Sequence, residues 1–263
     1  MRDIAQPLHR KIRARLYLNA VLPAFEDLLA QSQAARDILG QRAFVLTFQT
    51  SGRLKSSLQF KDQCCEFLRN KTTSSDILLH FITEGQLNKE FENEGFRVPI
   101  PIKGGTRIKD IKTFKALSAL LESYLRPSKE LLNDPKIHDL HVAMQLSIAL
   151  RATIELTKHE ELSKMIMADT PNGLAYFSVG GEDGYGAWLD WKNGILTSGK
   201  GTPPTPPHAH VQFADANTAL KAIGNRIDVM AAIGNGDIKV TGLIPLADAL
   251  GYIFERIPLY ITP

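Results

Sequence analysis

The spacing of apolar residues changes from a helical to a strand pattern and back, and it does so twice along the chain. In residues 1–40 the apolar positions Ile12, Leu16 and Ala20 lie four apart, whereas Leu54, Leu58 and Phe60 belong to a run that alternates with polar residues. The first spacing is typical of an amphipathic helix and the second of a half-buried strand. The same succession returns from residue 136 onward. A repeat of about 130 residues has the length of a domain, not of a solenoid unit.

We therefore predict two domains of one kind, residues 1–130 and 131–263, of which the second is preceded by a long helix at 136–168. The alternative is that two similar layouts arose by chance. In the first half the predicted elements are helices within 1–40, strands at 44–48, 54–60, 64–68 and 77–81, a short helix after Thr83, runs at 98–102 and 107–111, and a helix from Thr113. In the second half they are strands at 175–179, 187–191, from Ile195, at 209–213 and 237–240, and a helix from Pro245. Laying 77–81 on 209–213, and 108–121 on 238–251, aligns the two series.

Composition places the chain among ordinary globular proteins, with 44% hydrophobic and 22% charged residues. The longest apolar stretch, residues 140–150, is shorter than the ~18 residues of a membrane span. The basic N-terminus has no apolar signal core. The two cysteines, Cys64 and Cys65, are adjacent, and neighbours rarely meet disulfide geometry. These features favour a reducing, cytoplasmic location.

Charge divides the chain unequally. Residues 1–130 carry 21 Lys and Arg against 14 Asp and Glu, a net charge of +7, whereas residues 131–263 carry a net charge of −4. The difference could reflect attraction between the domains, or an anionic partner for the first half such as a membrane surface. Nucleic acid is not expected, because the basic residues are scattered and not interleaved with aromatic ones.

Three segments of the second half carry a family resemblance. They are the run His210-Val211-Gln212-Phe213-Ala214-Asp215, the run from Gly236 to Gly242 (GDIKVTG), and Leu246-Ala247-Asp248-Ala249-Leu250. In this order the segments resemble the sterol carrier protein family, type two. The first half is similar to a diverged copy over residues 43–127, which lacks the Gly-Asp and Thr-Gly pairs on either side of the run IKV in the second half.

The resemblance implies an α+β fold in each half, a mainly antiparallel five-stranded sheet covered on one face by helices. It also implies an apolar tunnel between sheet and helices that accepts fatty acids, acyl-CoA, sterols or phospholipids. We expect the second half to hold the ligand and its C-terminal helix, residues 245–256, to act as the lid. The expected lipid-binding residues are Phe213, Leu220, Ile223, Val229, Ala232, Ile233, Val240, Leu243, Leu246, Leu250, Ile253 and Phe254.

Motifs that carry catalysis are absent from the sequence, which has no nucleophile elbow, no His-Glu-x-x-His and no phosphate-binding loop. His208 and His210 form a metal-like pair, although surface imidazoles are the simpler interpretation. His159-Glu160-Glu161 is interpreted as a solvated helix end. We predict no catalytic residue, no metal and no cofactor.

Three functional hypotheses remain. The first is binding, with transfer, of a lipid or acyl-CoA ligand. The second is a non-catalytic structural or interaction module whose tunnel is filled by side chains and whose two halves form a pseudo-dimer. The third is an enzyme with a metal held by His208 and His210.

Overall fold

The computed structural model describes residues 2–69, 74–92, 100–128, 130–180 and 185–261. The chain divides into two compact units, Met1–Ser128 and Lys129–Pro263, called unit 1 and unit 2 below. Across the described residues, every helix is too short or too polar to cross a bilayer.

Unit 1 contains a five-stranded sheet with helices. Its strands are β1 (Phe44–Thr50), β2 (Lys55–Lys61), β3 (Cys64–Arg69), β4 (Ile77–Phe81) and β5 (Ile100–Lys103). Their order in the sheet is β3-β2-β1-β4-β5. β1 and β4 run parallel, and the other neighbours run antiparallel.

The helices of unit 1 precede and interrupt the strands. They are α1 (Arg2–Leu16), which continues into a π-helical segment (Tyr17–Val21), α2 (Ala24–Gln31), α3 (Gln33–Leu39), α4 (Glu84–Phe91) and α5 (Ile108–Leu125). Thr83 caps α4 by accepting a hydrogen bond from the Gln86 amide at 3.1 Å, while Gln86 Oε1 accepts one from the Ile82 amide at 2.9 Å. This arrangement gives partners to the Gln86 amide in the first helical turn and to the Ile82 amide just before the helix.

Unit 2 repeats the sheet. Its strands are β6 (Gly173–Val179), β7 (Tyr185–Lys192), β8 (Ile195–Lys200), β9 (Ala209–Phe213) and β10 (Ile238–Gly242), in the order β10-β9-β6-β7-β8. β6 and β9 are the parallel pair. Its helices are α6 (Pro135–His159), α7 (Glu161–Ala168), α8 (Ala216–Ile223), α9 (Val229–Asn235) and α10 (Ile244–Phe254), followed by a 3-10 turn (Ile257–Leu259).

Helices of unit 2 cover one face of its sheet in two parts. α6 packs on β7 and β8, whereas α10 packs on β6, β9 and β10. α8 lies against α6 and β9, and α9 lies against β10. Asp215 begins α8 by accepting a hydrogen bond from the Thr218 amide at 2.7 Å, which also lowers the pKa of its carboxyl.

The predicted α+β class with two mainly antiparallel five-stranded sheets is confirmed. The parallel pairs share a register, since Leu46 lies beside Ile77 in unit 1 as Ala175 lies beside Ala209 in unit 2. The hydrogen bond just after the parallel pair is also the same in both units, since the Ser51 amide donates to Phe81 O and the Gly180 amide donates to Phe213 O.

Two sequence predictions about elements are wrong. The helix predicted from Thr113 begins earlier, at Ile108, so the alignment of 108–121 with 238–251 places a helix on the strand β10. Asp110 lies in the first turn of α5 and pairs with Arg107 at 2.8 Å, and a carboxylate at this end of a helix is stabilised by the helix dipole.

The run at 98–102 is described only from Ile100, which begins β5. The helix predicted at 136–168 is broken at Glu160, whose backbone is extended.

Candidate functional site

The covered face of each sheet carries side chains of different size at the same register positions. In unit 1, Leu46 and Ile77 are neighbours on the central parallel strands, and both are buried. Alanines, Ala175 and Ala209, take these places in unit 2. Two branched aliphatic side chains are therefore replaced by two methyl groups beneath the helices.

A second position shows the same difference. Phe44 lies beside Phe60 at the start of β1, and Gly173 lies beside Trp191 at the start of β6. A Cβ atom on Gly173 would lie 3.0 Å from Leu246 Cδ2 of α10. Leu246 thus takes the room that the missing side chain leaves, and α10 approaches the sheet closely at this point.

Aromatic rings fill the interior of unit 1. The ring of Phe114 from α5 lies 5.3 to 6.3 Å from the rings of three other phenylalanines, and further ring pairs extend the cluster toward α4. The cluster consists of Tyr17, Phe25, Phe44, Phe48, Phe60, Phe81, Phe91 and Phe114. Such rings each bury a large area and leave little room for a ligand.

Among the described residues of unit 2, one aromatic pair lies in the corresponding layer, Phe177 with Phe254, whose centroids are 5.2 Å apart. The twelve predicted lipid-binding residues lie on β9, α8, α9, β10, α10 and the residue before α10. Seven are buried: Phe213, Ile223, Ala232, Leu246, Leu250, Ile253 and Phe254. Leu220, Val229, Val240 and Leu243 are half-buried, and Ile233 is exposed. Their role as a binding site stays a prediction.

Two apolar residues missed by the sequence prediction lie beside this group. Met230 of α9 is 77% exposed, and Ile244 at the start of α10 is about half exposed. Met230 and Ile233 are three residues apart and so lie on one side of α9. α9 and α10 both pack on β10, so these exposed side chains belong to elements that border the candidate site. The three-residue spacing of Met230 and Ile233 was visible in the sequence.

The C-terminal end of α10 is fastened by Glu160. This carboxylate accepts hydrogen bonds from Arg256 Nε at 2.7 Å, Arg256 Nη2 at 2.6 Å, the Tyr260 hydroxyl at 2.6 Å and the Ser163 hydroxyl at 2.5 Å. We call these four residues the Glu160 latch. The predicted solvated helix end is therefore wrong for Glu160, which is buried, because an arginine, a tyrosine and a serine replace water around it.

Electrostatics within the latch follow from this arrangement. Burial by itself would raise the pKa of Glu160, but the hydrogen bonds from Arg256, Ser163 and Tyr260 outweigh it and lower the pKa. The pKa of Tyr260 is raised to about 12 by burial and by its bond to Glu160. At neutral pH, Glu160 is therefore a carboxylate, Arg256 is a cation and Tyr260 is a neutral phenol.

The N-terminal end of α10 follows Gly242. This glycine has φ of +84°, and a Cβ atom on it would clash with the His208 carbonyl oxygen. The Leu243 amide donates to the same oxygen at 2.7 Å. Glycine is required at this position because it adopts positive φ without strain and lets the two backbones approach.

An open cleft of about 550 Å³ lies at another edge of unit 2, and none of the predicted lipid-binding residues lines it. Its lining mixes polar and apolar side chains: Thr157, Lys164, Ala168, Thr170, Pro171, Asn172, Trp191 and Gly194. Trp191 Nε1 donates to Thr170 O at 3.1 Å, which holds the indole at the edge of the sheet. This polar, open shape does not match an acyl chain.

Both imidazoles of the metal-like pair have partners within the protein. His208 Nδ1 accepts from the Leu174 amide at 3.0 Å, and His210 Nε2 is hydrogen-bonded to Ser178 Oγ at 2.8 Å. Burial, helped by Lys239, lowers the pKa of His210. Within the described ranges no three His, Cys, Asp or Glu residues are grouped as metal ligands.

Comparison with known proteins gives structural matches alone. No family model matches the sequence, and no curated protein matches it. The sterol carrier protein domain 2 of Helicoverpa armigera matches with 14% identity and a TM-score of 0.36, covering 45% of this chain and 92% of that one. The apo sterol carrier protein 2 of Yarrowia lipolytica matches with 15% identity and a TM-score of 0.34, covering 45% and 90%. The sterol carrier protein 2 of Aedes aegypti in complex with palmitate matches with 14% identity and a TM-score of 0.28, covering 41% and 92%. These matches are to the family that the sequence of the second half resembles.

Proposed function

We propose that unit 2 binds an apolar lipid ligand between its sheet and α10, and that unit 1 is a partner whose corresponding space is closed by its own aromatic side chains. The observation that carries this proposal is the change from Leu46 and Ile77 to Ala175 and Ala209 at one register position. Burial of apolar ligand surface would stabilise the complex by about 25 cal/mol per Å². The matched registers also support an origin by tandem duplication.

Binding on this proposal requires α10 to move, because Leu246 packs against Gly173. The Glu160 latch holds the C-terminal end of α10, and the Leu243 amide ties its N-terminal end to His208 O, so the turns between them, which carry Leu246 and Leu250, are the part that shifts. The exposed Ile244 at the N-terminal end of α10 gives an acyl chain its first apolar contact, and Met230 and Ile233 add exposed apolar surface on α9. The process is passive, without a catalytic residue, metal or cofactor, in a cytoplasmic setting.

The ligand class is a fatty acid, acyl-CoA, sterol or phospholipid. The Aedes aegypti protein is in complex with palmitate, and we choose the same fatty acid as the first probe. Organic extraction of the purified protein followed by lipid mass spectrometry tests the proposal. It predicts a co-purified lipid or, after delipidation, displacement of a fluorescent fatty acid by palmitate. Absence of both results would contradict it.

Filling variants locate the site. Ala175→Leu and Ala209→Ile place the side chains of unit 1 into unit 2, and we expect loss of palmitate binding. Overpacking typically costs roughly 1–3 kcal/mol, so circular dichroism must show that the variants fold. Ala35→Leu is the matched control, since it enlarges a fully buried alanine of unit 1 and should leave binding intact.

The second candidate is a structural or interaction module without a ligand. The contact between Leu246 and Gly173 favours it, because α10 already occupies part of the proposed space. On this alternative, Ala175→Leu destabilises the protein and nothing else changes, since wild-type protein binds no palmitate.

A further inference from the structure

Two exposed isoleucines flank the turn between β5 and α5 in unit 1. Ile102, near the end of β5, and Ile108, the first residue of α5, are each 59% exposed. The Arg107 amide donates to Gly104 O at 2.9 Å, which closes the turn between them. The short connection therefore keeps the two apolar side chains near one another at the surface.

Lysines surround these isoleucines. Lys103 follows Ile102, and Lys109 follows Ile108. Lys112 lies four residues after Ile108, so it projects from the same side of α5. All three lysines are exposed. We call Ile102, Lys103, Ile108, Lys109 and Lys112 the β5–α5 patch.

The described acidic groups next to the patch have arginine partners. Asp110 accepts from Arg107 at 2.8 Å and from Arg42 at 3.1 Å, and Asp76 pairs with Arg107. In contrast, Lys103, Lys109 and Lys112 form no ion pair with any described residue. The patch therefore combines two water-exposed apolar side chains with three uncompensated positive charges.

We propose that the β5–α5 patch docks unit 1 on an anionic lipid bilayer. Isoleucines of this exposure insert at the headgroup boundary, while lysine stems lie along it and place their ammonium groups beside lipid phosphates. Nucleic acid fits less well, because the patch has no aromatic side chain on which a base could stack. Docking does not depend on whether unit 2 holds a ligand.

Vesicle flotation of the full chain tests this proposal, without added ligand. The probes are vesicles of phosphatidylcholine alone and of phosphatidylcholine mixed with phosphatidylserine. We expect binding to the anionic vesicles alone, weakened by salt because exposed charges are screened beyond about 8 Å at physiological ionic strength. Each lysine near the surface contributes about fivefold to partitioning, so Lys109→Gln with Lys112→Gln should lower it about 25-fold.

The matched control lies in the β7–β8 hairpin, where Lys192 and Ile195 are exposed and Ile195 is 60% exposed. Ile102→Ser with Ile108→Ser should reduce flotation, whereas Lys192→Gln with Ile195→Ser should not. Equal binding to both vesicle types, no binding, or equal loss in the control overturns the proposal. So does concentration-dependent dimerisation that Ile102→Ser with Ile108→Ser abolishes, since a second copy then covers the patch.

Discussion

Replacing the buried carboxylate of the Glu160 latch by an amide is the perturbation whose effect the structure defines best. Glu160→Gln keeps the shape of the side chain but removes its charge, and an amide cannot accept four hydrogen bonds from Arg256, Tyr260 and Ser163 in the same arrangement. Arg256 then loses its carboxylate partner. The C-terminal segment after α10 should therefore detach more often.

The magnitude follows from burial. Breaking a buried ion pair costs about 3–5 kcal/mol, and the Glu160 side chain is 6% exposed. The Arg256 side chain is 25% exposed, so water partly replaces the lost partner and the lower end of this range applies. A loss of about 3 kcal/mol corresponds to roughly a hundredfold rise in the detached population, since 1.4 kcal/mol is tenfold.

Hydrogen exchange at neutral pH, followed by mass spectrometry, measures how often the C-terminal segment detaches. The amides of Leu259, Tyr260 and Ile261 donate to Arg256 and Ile257 carbonyls, and their exchange should accelerate roughly a hundredfold in Glu160→Gln. Glu161→Gln is the control, because Glu161 is 79% exposed and pairs with Lys164 at 3.4 Å. A surface pair contributes at most about 1 kcal/mol. Equal exchange in the two variants would refute the reasoning.

The latch also has a pH signature. The pKa of Glu160 in the folded protein lies below the ordinary carboxyl value. The contribution of Glu160 to stability is therefore complete above the ordinary value and is lost as pH falls through the folded pKa. Stability of the wild type should therefore fall in this acid range more steeply than that of Glu160→Gln. Parallel curves would contradict the assignment.

Three further predictions concern other parts of the chain. Gly242→Ala should lower the free energy of unfolding by more than about 1 kcal/mol in chemical denaturation, because φ is positive and the Cβ atom meets the His208 carbonyl; unchanged stability would show that the backbone is not constrained there. Iodoacetamide should modify Cys64 faster than Cys65, because burial, with the Glu26 carboxylate, raises the pKa of the Cys65 thiol; equal rates in peptide mapping would oppose this. Leu46→Ala should cost about 2–5 kcal/mol by calorimetry without creating palmitate binding, and a new binding site in unit 1 would be the contrary result.

Much of the fold was predictable because apolar spacing directly reports which face of an element is buried. The alternation through Leu58 and Phe60 predicted β2, and the run around Val211 predicted β9. The start of α5 was mispredicted because residues 108–121 were aligned with 238–251, which begin with a strand, although the three-residue spacing of Ile108 and Ile111 is helical. The ion pairs of Asp110 with Arg107 and Arg42 stabilise the helix start. The pair with Arg42 joins residues 68 positions apart, which apolar spacing does not reveal.

The candidate site was predictable only in part. Leu246 and Leu250 lie on the buried side of α10, as their spacing indicates. The latch was missed because Arg256 and Tyr260 are about a hundred residues from Glu160 in sequence. The contrast between Leu46 and Ala175 became visible only when the strand registers could be compared.

The stoichiometry of fatty-acid binding tests the central claim most directly. Titration of the delipidated full chain with a fluorescent fatty acid should show one site per chain, displaced by palmitate and removed by Ala175→Leu but not by Ala35→Leu. Two equivalent sites per chain, or none, would contradict the account in which unit 2 holds the ligand and unit 1 is closed by its own phenylalanines.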